Sequence, residues 1–181
     1  MRAAIIALVL TFGSQARAGC PDLCDENWWE RATTADVQAE LADGVDVMER
    51  DQDGYAPLHG AAAVGTAESI QVLLEAGADV TAVTRQGTTP LHWAAKYGTS
   101  AHIQALIAGG ANVMARSRSR MTPLHAAASS GTFANIQTLL DAGADIKVED
   151  KHGRTPWDLA QENETLQGTK AYWVLTEARY N

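Results

Sequence analysis

Apolar residues along the chain fall into two short runs that recur together. In residues 87–119, Leu91, Ala94 and Ala95 lie at helical spacing, and Ile103, Leu106 and Ile107 do so again further on. Gly98 follows the first run and Gly110 the second, with Gly110 placed for the left-handed residue that closes a helix. Thr89-Pro90 marks a helix start. A threonine hydroxyl there accepts a free first-turn N–H, and proline at the first helical position forgoes an N–H that has no partner anyway. The stretch from Asn112 to Arg120 carries turn residues and no helical pattern. The pattern predicts a helix, a turn, a second helix and a hairpin-like loop. The alanines let neighbouring first helices approach closely.

The same roles recur at Leu58, Ile70, Leu73, Leu74 and Gly77, and at Leu124, Ile136, Leu139, Leu140 and Gly143. The helix starts Ala56-Pro57-Leu58-His59, Thr89-Pro90-Leu91-His92, Thr122-Pro123-Leu124-His125 and Thr155-Pro156-Trp157-Asp158 follow one another at 33 residues. Gly77-Ala78-Asp79, Gly110-Ala111-Asn112 and Gly143-Ala144-Asp145 keep the same interval. Such a period marks a stack of supersecondary units. Residues 54–86, 87–119 and 120–152 are full units. Residues 22–53 are a worn first unit: Val37-Gln38 aligns with Ile70-Gln71, but Leu23 to Glu26 fill the Thr-Pro-Leu-His slot. Residues 153–181 are a last unit with Asp158 for histidine, and Tyr172, Trp173 and Leu175 supply its apolar face. End units have one neighbour and depart from the consensus. Trp28 and Trp29 align with Ala61 and Ala62, where two indoles either cover the end of the core or form a binding hot spot.

On these two motif blocks the chain resembles the ankyrin-repeat family over about residues 22–181. The resemblance implies an all-α solenoid of helix–turn–helix units with β-hairpin-like fingers. It also implies a protein partner, bound at the fingers and the concave surface of the first helices. The family's motif histidine, here His59, His92 and His125, hydrogen bonds within and between repeats. Two departures matter. Ala56 replaces the capping threonine, which should weaken that helix start by about 1 kcal/mol. Arg120 replaces the finger glycine, which puts the left-handed turn there in question, since only glycine adopts it freely.

The formal net charge of −8 argues against a nucleic-acid partner, because binding a polyanion rests on cations. No apolar run reaches the ~18 residues of a membrane span. Met1-Arg2, the apolar Ala3 to Phe12 and the A-x-A pattern Ala16-Arg17-Ala18 read as a secretory signal over residues 1–18. The expected home is the periplasm or the outside of the cell, with residues 19–181 as the repeat domain. Loss of residues 1–18 removes two arginines and no acid, so the charge becomes 12 − 22 = −10. Cys20 and Cys24 follow the cut and can close a small disulfide in an oxidising compartment. A lipid anchor on Cys20 is the rival, but Arg17 stands where a lipoprotein signal has an aliphatic residue.

The histidines invite a metal, but His59, His92 and His125 should lie one repeat apart, ~10 Å for packed helices. That exceeds shared ligation at ~2.0–2.1 Å. His102 and His152 are expected on the surface. Ser129-Ser130 lie near His125 without a nucleophile elbow, so no catalytic, metal or cofactor site is expected. Binding chemistry is better represented. Gln52, Arg85, Arg118 and Lys151 share one finger position, and Arg116 and Arg120 flank Arg118. Aligned fingers make these either a basic strip able to grip carboxylates or an ordinary solvated face. Trp93, Lys96 and Tyr97 are large where Gly60, Ala63, Val64, Ala126, Ser129 and Ser130 are small. They either anchor a partner or pack locally against a finger. A binding module is the leading expectation; an immunity protein against a toxin or hydrolase, or an envelope stress-defence accessory, are narrower ones.

Overall fold

The computed structural model describes residues 23, 26–164, 166–168 and 176. The secretory pattern, Cys20, Cys24, Tyr172, Trp173 and Leu175 lie outside the described residues. The helices are α1 (Glu26–Trp29), α2 (Thr34–Ala42), α3 (Pro57–Val64), α4 (Ala67–Glu75), α5 (Pro90–Lys96), α6 (Ser100–Ala108), α7 (Pro123–Ser130), α8 (Phe133–Asp141) and α9 (Pro156–Ala160). No strand occurs among the described residues. The first helices α1, α3, α5, α7 and α9 pack side by side, and α2, α4, α6 and α8 form a second layer behind them.

The apolar positions of the repeat all turn inward. Leu58, Leu91 and Leu124, Ile70, Ile103 and Ile136, and Leu73, Leu106 and Leu139 are fully buried. The paired alanines Ala61-Ala62, Ala94-Ala95 and Ala127-Ala128 are fully buried as well, between adjacent first helices. At the first unit Trp29 takes the alanine's place and is only 1% exposed, with its Nε1 donating to the Leu23 carbonyl at 2.8 Å. Trp28 meets it edge-on at 4.9 Å, so the indoles cover the end of the core. They do so over Gly60, where any Cβ would run into the Trp29 ring.

Polar groups join the repeats in both directions. In the motif units the histidine Nδ1 accepts the cap residue's N–H, from Ala56 at 3.1 Å, Thr89 at 3.2 Å and Thr122 at 3.1 Å. An amide can only donate, so the proton of the neutral ring sits on Nε2. That Nε2–H donates forward to the next repeat: His59 to Thr88 O at 3.2 Å, His92 to Met121 O at 3.0 Å and His125 to Arg154 O at 3.0 Å. Other polar side chains reach backward. His102 Nε2 meets Gly65 O at 3.0 Å, Asn135 donates to Ala95 O and Gly98 O at 3.1 and 3.0 Å, and Asn163 donates to Ala128 O at 3.1 Å. These acceptors lie at or just past the C-terminal ends of first helices, where carbonyls lack an intrahelical partner.

Two expectations change here. His102 is buried, at 7% exposure, and its Nδ1 accepts the Thr99 N–H at 2.8 Å; it repeats the motif histidine's role one helix later. The Thr89 and Thr122 hydroxyls do not cap their helices; each donates to the histidine Nδ1 at 2.9 Å. Hydroxyl caps do occur at Thr155, and at Thr33, Thr66 and Thr132 outside the motif. Ala56 therefore lacks a threonine–histidine bond rather than a helix cap.

Each finger is a tight turn closed by two backbone bonds, as in Thr84 N–H to Thr88 O at 3.0 Å with Gly87 N–H to Thr84 O at 2.8 Å, and Ser117 N–H to Met121 O at 2.9 Å with Arg120 N–H to Ser117 O at 2.8 Å. Adjacent fingers are joined by Arg85 N–H to Asp53 O, Arg118 N–H to Gln86 O and Lys151 N–H to Ser119 O, at 2.7, 2.9 and 2.9 Å. Gly54, Gly87 and Gly153 are left-handed in their turns, and Arg120 keeps the same turn at φ 61°. That conformation costs a side-chain-bearing residue about 1–2 kcal/mol. In the last finger Asp150 is buried. Burial opposes its charge, but N–H donors from Arg154 and His152 and the Arg154 guanidinium outweigh burial and hold its pKa at about 2.

Burial pushes the His59 pKa down to about 4 and lowers those of His92 and His125, despite the carbonyls that accept from their rings. A charged ring would also point an Nδ1 proton at the cap N–H. Between pH 6.5 and 4 the unfolded chain therefore binds protons that the folded chain refuses, and stability must fall as pH falls. The loss is on the order of 3 kcal/mol for His59 alone by pH 4. Urea midpoints should drop steadily from pH 7 to pH 4.5, ahead of the carboxylate window below 3.8 where Asp150 begins to matter. A constant midpoint over that range contradicts the neutral-histidine network.

Candidate protein-binding surface

The first-helix face carries Tyr97, the most exposed of the large apolar residues described. Trp93 on α5 is half-buried, and its Nε1 donates to the Thr88 hydroxyl of its own finger at 3.2 Å. Tyr55, from the preceding finger, lies edge-on to it at 5.0 Å, and Tyr97 lies tilted beside it at 5.4 Å. Tyr97 is 52% exposed, and the Lys96 ammonium sits 4.6 Å from its ring centre. Such an ammonium–ring contact is worth about 0.5–1 kcal/mol at an exposed site.

Trp93 thus packs against a finger and still faces solvent. Three cavities meet at it. One of about 210 Å³ runs along Lys96 and Tyr97 to Ser117, Ser119 and Met121 of the third complete finger (residues 114–121). One of about 200 Å³ lies over Gly60 and Ala63 beside Tyr55. A third, of about 290 Å³, is bounded by Glu30, Ala63, Val64 and Tyr97. The small residues on α3 and α7 set the depth of these hollows. Tyr55 and Met121 were invisible as site residues in the sequence. They occupy the position just before the helix motif, where Thr88 and Arg154 also stand, and no residue type recurs there.

The basic finger residues divide into three groups. Arg85 is 67% exposed and faces Asp53 at 3.5 Å, an exposed pair of the kind worth about 0–1 kcal/mol. Arg116 is spoken for: it donates to Glu149 O at 2.6 Å and to Arg120 O at 3.4 Å. Arg50, two registers earlier, bonds Val83 O in the same way at 3.3 Å, so this position ties finger to finger. Arg118, Arg120 and Lys151 are exposed, and none pairs with a carboxylate among the described residues. Among those residues no group of three or more His, Cys, Asp or Glu is placed to hold a metal ion.

This division has a measurable consequence. Arg116→Ala should destabilise the chain by about 1–2 kcal/mol, because it leaves the Glu149 carbonyl without its charged donor. Converting Arg85, Arg118 and Lys151 together to Glu should stay within about 0.5 kcal/mol per site, as for surface residues outside any network. Denaturant unfolding checks both. Equal losses for the two variants contradict the assignment.

Among the described residues no helix is long and apolar enough to cross a membrane. Comparison with curated proteins finds no match. Two family models do match: one described as ankyrin repeats (3 copies), over residues 32–117, and one described as ankyrin repeats (many copies), over residues 106–160. Together they span residues 32–160, well over half of the 181-residue chain, and they agree with the all-helical stack. The chain belongs to the ankyrin-repeat family, whose members are typically non-catalytic modules for protein–protein interaction.

Proposed function

We propose that this chain is an exported, non-catalytic binding module that captures a protein partner on its fingers and first-helix face. The observation that carries this reading is the Tyr55–Trp93–Tyr97 cluster. It gathers three aromatic residues, contributed by two repeats, on one solvent-facing surface. Partly buried aromatics held by their own scaffold make good interface anchors, because little side-chain freedom is left to lose on binding. The repeat stack beneath them is pinned in both directions, so the surface is presented ready-made. Its exposed features are distributed over several repeats, which suits a macromolecular partner. Export rests on the basic start, apolar run and A-x-A pattern of residues 1–18, and the expected destination is the periplasm or the exterior.

A photo-crosslinking residue placed at Tyr97 should yield a discrete protein adduct in the cells that make the chain. The same group at Gln104, exposed on α6 in the second layer, should not. Absence of an adduct at position 97, or equal labelling from 104, contradicts the assigned surface. The mature chain recovered from the envelope fraction should begin at Gly19. A chain that keeps Met1 and stays in the cytoplasm contradicts export.

A further inference from the structure

The third complete finger departs from its neighbours in a way the fold does not require. Gly54, Gly87 and Gly153 hold the left-handed turn position in the other fingers, and Arg120 holds it here at φ 61°. Glycine would adopt that backbone without strain. The bond that closes the turn, Arg120 N–H to Ser117 O at 2.8 Å, and the one from the next finger, Lys151 N–H to Ser119 O at 2.9 Å, are main-chain bonds that glycine would preserve. The strained residue's guanidinium is exposed and meets no carboxylate among the described residues. A side chain kept in a strained position without an internal partner points outward, to a ligand.

Two more cations stand beside it in the same condition. Arg118 is two residues away, and Lys151 is held to this finger through its own backbone N–H. Three unpaired cations on two bonded fingers oppose the net charge of −8 carried by the chain. The alternate residues of the same finger, Ser117, Ser119 and Met121, line the cavity of about 210 Å³ that Trp93 and Lys96 also wall. That volume is below the ~300 Å³ at which small-molecule pockets begin, and it suits one apolar side chain. Cations beside a small apolar hollow match a peptide in which carboxylates flank a hydrophobic residue. An anionic bilayer or a nucleic acid presents a broad polyanion, which the acidic remainder of this surface would repel.

We propose that this finger and the cavity at its base dock an extended acidic segment of the protein partner, one apolar side chain entering beside Trp93 and Met121 while its carboxylates pair with Arg118, Arg120 and Lys151. This rests on the protein-binding reading above and specifies the partner's chemistry.

The probe is a fluorescein-labelled peptide of glutamates around a single central leucine, followed by anisotropy with the whole mature chain. Binding should weaken at least tenfold when glutamine replaces glutamate, and several-fold when alanine replaces the leucine. Arg120→Gly is the decisive variant. It should bind the peptide about threefold more weakly while its thermal midpoint rises by about 2–4 °C, because the turn is relaxed. Arg118→Ala combined with Arg120→Gly should lose tenfold or more, with the fold intact. Failure of the glutamate peptide to bind, equal binding of the glutamine peptide, or an unchanged affinity in the double variant overturns the proposal. So does tighter binding to phosphatidylserine vesicles than to the peptide. If the crosslinked adduct at position 97 survives undiminished in the double variant, this inference falls while the protein-binding reading stands.

Discussion

The structure depends on each repeat completing the hydrogen bonding of its neighbours. A short helix leaves donors free at one end and acceptors free at the other, and a helix–turn–helix of this length cannot bury them alone. The motif histidine resolves half of this by accepting at its own helix start and donating to a carbonyl 29 residues on. His102 and Asn135 of the second layer, and Asn163 just past α9, resolve the other half, by reaching back to the free carbonyls of the repeat before. Packing of leucine, isoleucine and paired alanines supplies attraction between layers, but apolar contact alone is indifferent to register. The directional bonds fix how one repeat sits on the next. They require imidazoles that stay neutral, which the burial of His59, His92 and His125 enforces.

A stack fixed in this way leaves its outward positions free to vary. The residue before each helix motif is Tyr55, Thr88, Met121 and Arg154 in turn, and the large residues of α5 face small ones on α3 and α7. The residues of the proposed binding surface fall at these positions. Trp93 shows how the two demands meet: its indole nitrogen is committed to Thr88, and its ring still forms the wall of three cavities. The cations separate in the same manner. Arg50 and Arg116 spend their guanidinium groups on carbonyls 33 residues ahead and serve the stack. Among the described residues, Arg118, Arg120 and Lys151 make no such bond.

Much of this was legible in the residues, because the repeat multiplies every local signal. The helices, the core positions, the left-handed Gly77, Gly110 and Gly143, and the tryptophan end cover all follow from a period of 33 and the chemistry of caps and turns. What stayed hidden has physical reasons. His102 looked solitary because its counterparts are Ser69 and Asn135, three residue types filling one position. Asn163 was masked by a shortened last unit, which puts it 28 residues after Asn135. The threonine hydroxyls were expected at helix N–H groups, but an imidazole nitrogen within reach captures them. Arg120 obeys the turn against its own preference, because bonds on both sides of it impose the backbone. Arg116 ties one finger to the next, and only the position of the Glu149 carbonyl reveals it.

The measurement that bears most directly on this account is the nitrogen chemistry of the imidazole rings, read by long-range proton–nitrogen correlation at pH 7. Neutral rings with the proton on Nε2 at His59, His92, His102 and His125, each Nε2 proton coupled to a carbonyl of an adjacent repeat, are the predicted result. Rings that are charged, or that carry the proton on Nδ1, would mean that the repeats are held in register by something else.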